Sequence, residues 1–105
     1  LQVGFARAKA YLEARYSEKL SIGEVADHFG VHPNHLSRAF REEYRCSPKQ
    51  FLTELKLDKA RQMLTQTDTP VALVASLLSF EDQHAFSRSF KNHFGYPPSA
   101  CRKRT

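Results

Sequence analysis

An internal repeat restricts the folds that this chain can adopt. Residues 31–51 match residues 81–101 at an offset of 50 positions. The matches pair Ser37 with Ser87, Arg38 with Arg88, Phe40 with Phe90, Arg41 with Lys91, Tyr44 with Phe94 and Pro48 with Pro98. Upstream, residues 22–29 match residues 71–78 at an offset of 49, so one residue has been inserted at the turn. Two copies are too few for a solenoid, and the pattern instead predicts one supersecondary unit used twice.

The spacing of apolar residues predicts that both copies are helical. Apolar residues recur at steps of three and four along the chain, and strand signals are nearly absent. We therefore expect an all-α fold of seven helices. Two helix-turn-helix units lie at about 21–45 and 70–94, a long linker helix joins them at about 48–64, and a short helix follows at about 97–103.

Helix boundaries follow from local signals. Ser21 with Glu24 forms a capping-box pattern, Gly30 suits the turn, and Pro33 fits the first turn of the next helix. In the second copy, Ser79 stands where the first copy has a glycine. A positive φ angle at Ser79 would cost about 1 kcal/mol.

The second helix of each unit has one polar face opposite its apolar side. The first polar face consists of Asn34, Ser37, Arg38, Arg41 and Arg45, and the second consists of Gln83, His84, Ser87, Arg88 and Lys91. Arginine can bind guanine through two hydrogen bonds, and asparagine or glutamine can do the same with adenine. A single polar face is usually only solvated, but two basic copies after tight turns favour binding to DNA.

The overall charge agrees with an anionic partner. The 105 residues carry a formal charge of +5 and have a sequence pI of about 9.5. Residues 29–65 and 79–105 each contribute +3 to this excess, so it is divided between the two copies. Cys46 and Cys101 form no CxxC motif, no membrane span or signal peptide is recognisable, and we expect a reducing cytoplasmic location.

From Ser21 to Arg102 the chain resembles the DNA-binding domain of the AraC/XylS family of bacterial transcription regulators. The resemblance is carried by the segments IGEVADHFGVHPNHLSRAFRE, LKLDKARQMLTQTDTPVALVAS and FEDQHAFSRSFKNHFGYPPSACRK. It implies that base contacts come from Asn34, Ser37, Arg38, Gln83, His84, Ser87 and Arg88. It implies that contacts to the DNA backbone come from Arg41, Ser47, Lys49, Lys91 and Ser99. The sequence departs from the family pattern at three positions, which are His32, Ser79 and Cys101.

The resemblance also implies partners. It predicts that residues 1–105 form a domain that binds double-stranded DNA, with RNA polymerase as a further partner and with no cofactor, metal, catalytic residue or membrane contact. Because the sequence opens on Leu1, we expect it to be a fragment of a longer protein, and the resemblance implies a sensor domain upstream. A linker helix of residues 48–64 would be about 25 Å long. One chain could then read a non-palindromic site in two adjacent major grooves.

Two other functions stay open at the level of sequence. His28, His32 and His35 lie at steps of four and three, which allows a metal site, although we expect these side chains to flank the turn, and His35 to pack or cap there. A helical module that binds an acidic protein would use the same basic faces. An enzyme is disfavoured because no glycine-rich phosphate loop, nucleophile elbow or acid pair is recognisable.

Overall fold

Seven helices make up the part of the chain that the structure describes. The computed structural model describes the backbone of residues 2–103 and the side chains of residues 6–102. The helices are α1 (Gln2–Arg15), α2 (Ile22–His28), α3 (Pro33–Tyr44), α4 (Pro48–Gln66), α5 (Val71–Leu77), α6 (Gln83–Phe94) and α7 (Pro98–Lys103). Within these described residues there is no strand. The all-α prediction with seven helices is confirmed, and the chain divides into two compact units, Leu1–Thr53 and Glu54–Thr105.

The first unit packs α1, α2 and the start of α4 around the apolar side of α3. Its buried core consists of Ala8, Leu12, Val25, Ala26, Leu36, Phe40 and Leu52. Leu36 and Phe40 are four residues apart and therefore lie on the same side of α3. Because this side is buried, the polar side of α3 is turned to solvent.

The second unit repeats this arrangement with α5 and α6. Its buried apolar residues are Leu57, Ala60, Leu64, Val74, Ala75, Leu78, Phe86, Phe90 and Cys101. The aromatic pair on the second helix has the same geometry in both units. The ring centroids of Phe40 and Tyr44 are 4.7 Å apart at 56°, and those of Phe90 and Phe94 are 4.6 Å apart at 53°. Phe40 and Phe90 are fully buried, whereas Tyr44 and Phe94 are partly buried beside them.

The turn between the two helices has the same pattern of hydrogen bonds in both units. After α2, the N–H of Val31 donates to the carbonyl of Ala26 at 3.0 Å, with Gly30 at a φ of 68°. After α5, the N–H of Phe80 donates to the carbonyl of Ala75 at 3.0 Å, with Ser79 at a φ of 61°. Both turns are Schellman motifs. Ser79 therefore adopts the left-handed conformation that the repeat predicts for it.

The loop between α4 and α5 is held by a long-range contact. Arg102, on α7, donates hydrogen bonds to the backbone carbonyls of Leu64, Thr67 and Thr69, at 3.1, 3.1 and 2.5 Å. The first bond satisfies a carbonyl in the last turn of α4, which otherwise has no partner within the helix, and the other two hold carbonyls of the loop that follows. Helix α4 continues to Gln66, two residues beyond its predicted end.

Candidate nucleic-acid interface

The start of α3 is fixed by a histidine cap. The Nδ1 atom of His32 accepts a hydrogen bond from the N–H of Asn34 at 3.1 Å, and Pro33 occupies the first helical position. The imidazole of His32 therefore caps α3, and the side chain of His35 in the first turn is exposed.

The first polar face is largely open to solvent. Asn34, Arg38, Arg41 and Arg45 are exposed, whereas Ser37 is half-buried at the edge of the face. Asn34, Ser37, Arg38, Arg41 and Glu42 line an open depression of about 500 Å³. Four of the five residues predicted for this face therefore surround one concave surface, with Arg45 just beyond the end of α3.

Glu42 is a member of this depression that the sequence patterns missed. On a helical wheel it lies about 80° from Asn34, at the margin of the predicted basic face. The sequence feature that could have predicted this position is its spacing of four residues from Arg38, because residues four apart on a helix are neighbours. Glu42 and Arg38 form no ion pair within 4.0 Å in the described part of the chain.

The second polar face begins at an aspartate cap. The carboxylate of Asp82 accepts a hydrogen bond from the N–H of Ala85 at 2.7 Å, which is short enough for a charge-assisted bond. The side chains of Gln83, His84, Arg88 and Lys91 are exposed. Ser87, like Ser37 in the first unit, is half-buried. The repeat therefore extends to the exposure of the serine and of the arginine in each Ser-Arg pair.

The remaining predicted contacts to the DNA backbone lie at the starts of α4 and α7. Ser47 and Gln50 cap each other, since the Oγ of Ser47 accepts from the Gln50 N–H at 3.1 Å and the Oε1 of Gln50 accepts from the Ser47 N–H at 3.0 Å. The hydroxyl of Ser47 keeps a hydrogen of its own to donate. Lys49 and Ser99 are exposed in the first turns of α4 and α7.

The structure also locates the residues that suggested a metal site. His28 packs its ring against Tyr11, with centroids 4.6 Å apart, and against Phe29 at 4.9 Å. Across residues 2–103, no group of three or more His, Cys, Asp or Glu side chains is placed to hold a metal ion. Nor is any helix in that range long and apolar enough to cross a membrane.

Comparison with known proteins gives one consistent relationship. A family profile described as a helix-turn-helix domain matches residues 25–104. The transcriptional regulator GbdR of Pseudomonas aeruginosa is 35% identical over 89 residues, which are 85% of this chain and 24% of GbdR. The raffinose operon regulatory protein RafR of Pediococcus pentosaceus is 30% identical over 94% of this chain and 36% of its own length. The chain therefore spans about a quarter to a third of these curated relatives.

Solved structures share the fold over almost the whole chain. The C-terminal domain of AraT, a response regulator from Geobacillus stearothermophilus, is 30% identical with a TM-score of 0.93, covering 97% of this chain and 85% of that domain. An AraC-type regulator from Chromobacterium violaceum is also 30% identical, with a TM-score of 0.87 and coverage of 98% and 92%. The matched family consists of DNA-binding regulators rather than enzymes. The two helix-turn-helix units, the family match and these relatives together show that the chain belongs to the AraC family of transcription regulators and holds its DNA-binding domain.

Proposed function

We propose that residues 1–105 form one DNA-binding module in which each unit places its second helix in a major groove. The observation that carries this proposal is the repeated polar face. Arg38 and Arg88 are both exposed three residues before a second exposed basic residue, Arg41 or Lys91, and buried Phe40 and Phe90 lie on the opposite side. A face that was only solvated would have no reason to recur with the same Ser-Arg pair and the same buried phenylalanine.

The contacts divide into two classes by position along each helix. Residues in the first turns of a recognition helix reach base edges, whereas later positions face the phosphates. We assign base reading to Asn34, Ser37, Arg38, Gln83, His84, Ser87 and Arg88. We assign backbone contacts to Arg41, Ser47, Lys49, Lys91 and Ser99.

The length of α4 supports binding by a single chain. Its 19 residues extend about 28 Å, at 1.5 Å per residue. Successive major grooves on one side of a duplex are about 34 Å apart. A monomer could then engage two adjacent grooves, and a shortfall in spacing would be met by bending the DNA, at a cost of about 1–6 kcal/mol.

Proposals about the full-length protein rest on membership of the family. Because the chain spans only part of its relatives, regulation of transcription through RNA polymerase is a proposal about the whole protein. So are an upstream sensor domain and a cytoplasmic location.

A stoichiometry measurement tests this function. The purified chain is titrated against a duplex that carries a binding site selected with this chain from a random duplex library. The mass of the complex is measured by native mass spectrometry. We expect one chain per duplex, with affinity that falls steeply as salt increases, because phosphate contacts release counterions. Failure to bind any duplex at low salt would refute the function, and complexes containing only two chains would refute the monomer arrangement.

One observation favours protein interaction as a second function. Leu73 and Leu77 on α5 are 47% and 53% exposed, and they lie four residues apart on one side of the helix. Their counterparts in the first unit, Glu24 and His28, are polar. A protein-interaction module acting alone would show no binding to duplex DNA in the titration.

A further inference from the structure

One acidic side chain lies among the basic residues of the depression on α3. Glu42 is exposed and lines this depression together with Arg38 and Arg41. The corresponding position in the second unit is Asn92, which is neutral and also exposed. The two units therefore differ at a position where both present a polar side chain to solvent.

A carboxylate at this position acts against phosphate contacts. Arg41 follows Arg38 by one turn and is the residue assigned to the DNA backbone. Glu42 lines the same depression as Arg41. The two charges are therefore closer together than the Debye length, about 10 Å in 0.1 M salt, and salt screens their effects only partly. Any phosphate bound by Arg41 would experience repulsion from Glu42.

The negative charge of Glu42 is not neutralised by an ion pair with the neighbouring arginines in the free protein. In the described part of the chain, Glu42 forms no ion pair within 4.0 Å with either Arg38 or Arg41. It is thus neither a clamp that holds Arg38 in place nor a charge neutralised by Arg41. Its negative charge therefore repels the phosphates of an approaching duplex.

We propose that Glu42 is a specificity-determining residue that weakens sequence-independent binding by the first polar face. This inference rests on the proposed function. Random duplexes are held almost entirely by phosphate contacts, so a repulsive charge reduces binding to them and leaves base contacts to supply the affinity. The second polar face, with Asn92 at the same position, lacks this restraint.

The test exchanges the two residues. Glu42→Asn gives the first unit the residue of the second, and Asn92→Glu makes the reverse change. We expect Glu42→Asn to bind random duplexes about threefold more tightly near 0.1 M salt and to steepen the dependence of log K on log salt by up to about 0.9. Asn92→Glu should shift both quantities in the opposite direction. Fluorescence anisotropy at several salt concentrations measures both effects.

Matched controls separate the possible outcomes. Glu43→Gln removes a neighbouring exposed carboxylate on the opposite side of α3 and should change binding less. Glu42→Gln keeps the side-chain size and guards against misfolding of the asparagine variant. Unchanged binding in both Glu42 variants, or a loss confined to the selected site, would overturn the inference, the latter because it would make Glu42 a base reader. If the unsubstituted chain bound no duplex, the proposed function itself would fail.

Discussion

At the scale of single residues, exposure and position decide what each side chain of a polar face can do. The serines Ser37 and Ser87 are half-buried, whereas Arg38 and Arg88 are exposed. The sequence could predict this set because helical spacing fixes which residues share a face. It did not reveal Glu42, because a carboxylate at the edge of the face does not belong to the pattern of basic and amide side chains that predicts contacts to DNA.

The two arginines should carry sequence discrimination. We expect Arg38→Ala and Arg88→Ala each to lose about 1–3 kcal/mol of binding free energy on the selected site and much less on random DNA. Lys91→Ala, as the matched control, should weaken binding to all duplexes and flatten the salt dependence by about one unit of slope. Competition titrations with selected and random duplexes measure these changes. Equal losses on both duplexes for the arginine variants would contradict their assignment to base reading.

The turn glycine should be needed for its backbone conformation rather than for space. Gly30 has a φ of 68°, and a Cβ atom built at this position would meet nothing within 4 Å. We expect Gly30→Ser, which copies Ser79 of the second unit, to reduce the free energy of unfolding by about 1 kcal/mol. Urea denaturation followed by circular dichroism measures the change.

A glycine elsewhere in the same unit provides the control for this prediction. Gly23 lies within α2, where a Cβ atom would be 3.9 Å from the Oγ of Ser21. Gly23→Ala should therefore increase stability by about 0.5–1 kcal/mol. Equal effects of the two substitutions would refute a conformational role for Gly30.

At the scale of elements, the start of each helix is a local property and its end is not always so. The Ser21 cap of α2 is present as the sequence predicts, with the Glu24 N–H donating to Oγ at 3.1 Å. Helix α4 ends two residues later than the sequence predicts, and in its last turn the carbonyl of Leu64 accepts a hydrogen bond from Arg102, which is 38 residues away in sequence. Helix propensity, which depends on nearby residues, cannot predict a hydrogen bond from a residue so far away in sequence.

The cap of α6 links the stability of the second unit to its polar face. Asp82 is exposed and accepts the Ala85 N–H at 2.7 Å, and its charge also interacts favourably with the helix dipole. We expect Asp82→Ala to lower the free energy of unfolding by about 1 kcal/mol. Glu81→Ala, at the exposed neighbouring residue outside the cap, is the matched control and should change stability by less than about 0.5 kcal/mol. Chemical denaturation measures both variants, and similar losses in the two would show that the cap contributes nothing.

At the scale of the whole molecule, the chain is a duplicated unit whose two copies have diverged where they face solvent. The aromatic pairs of α3 and α6 and the Schellman turns have the same geometry in both units, because packing and backbone geometry tolerate little change. The exposed residues differ, as in Asn34 against His84 and Glu42 against Asn92. If both polar faces read bases, as we propose, their different side chains predict a binding site without two-fold symmetry.

Selection of binding sites from a random duplex library tests this claim most directly. We expect the chain to enrich a non-palindromic motif made of two different half-sites, with centres about 10–10.5 base pairs apart. Selection with Arg38→Ala should erase information from one half-site, and selection with Arg88→Ala should erase it from the other. Enrichment of a palindrome, or of a single half-site that both variants alter alike, would contradict a monomer that reads DNA with two distinct faces.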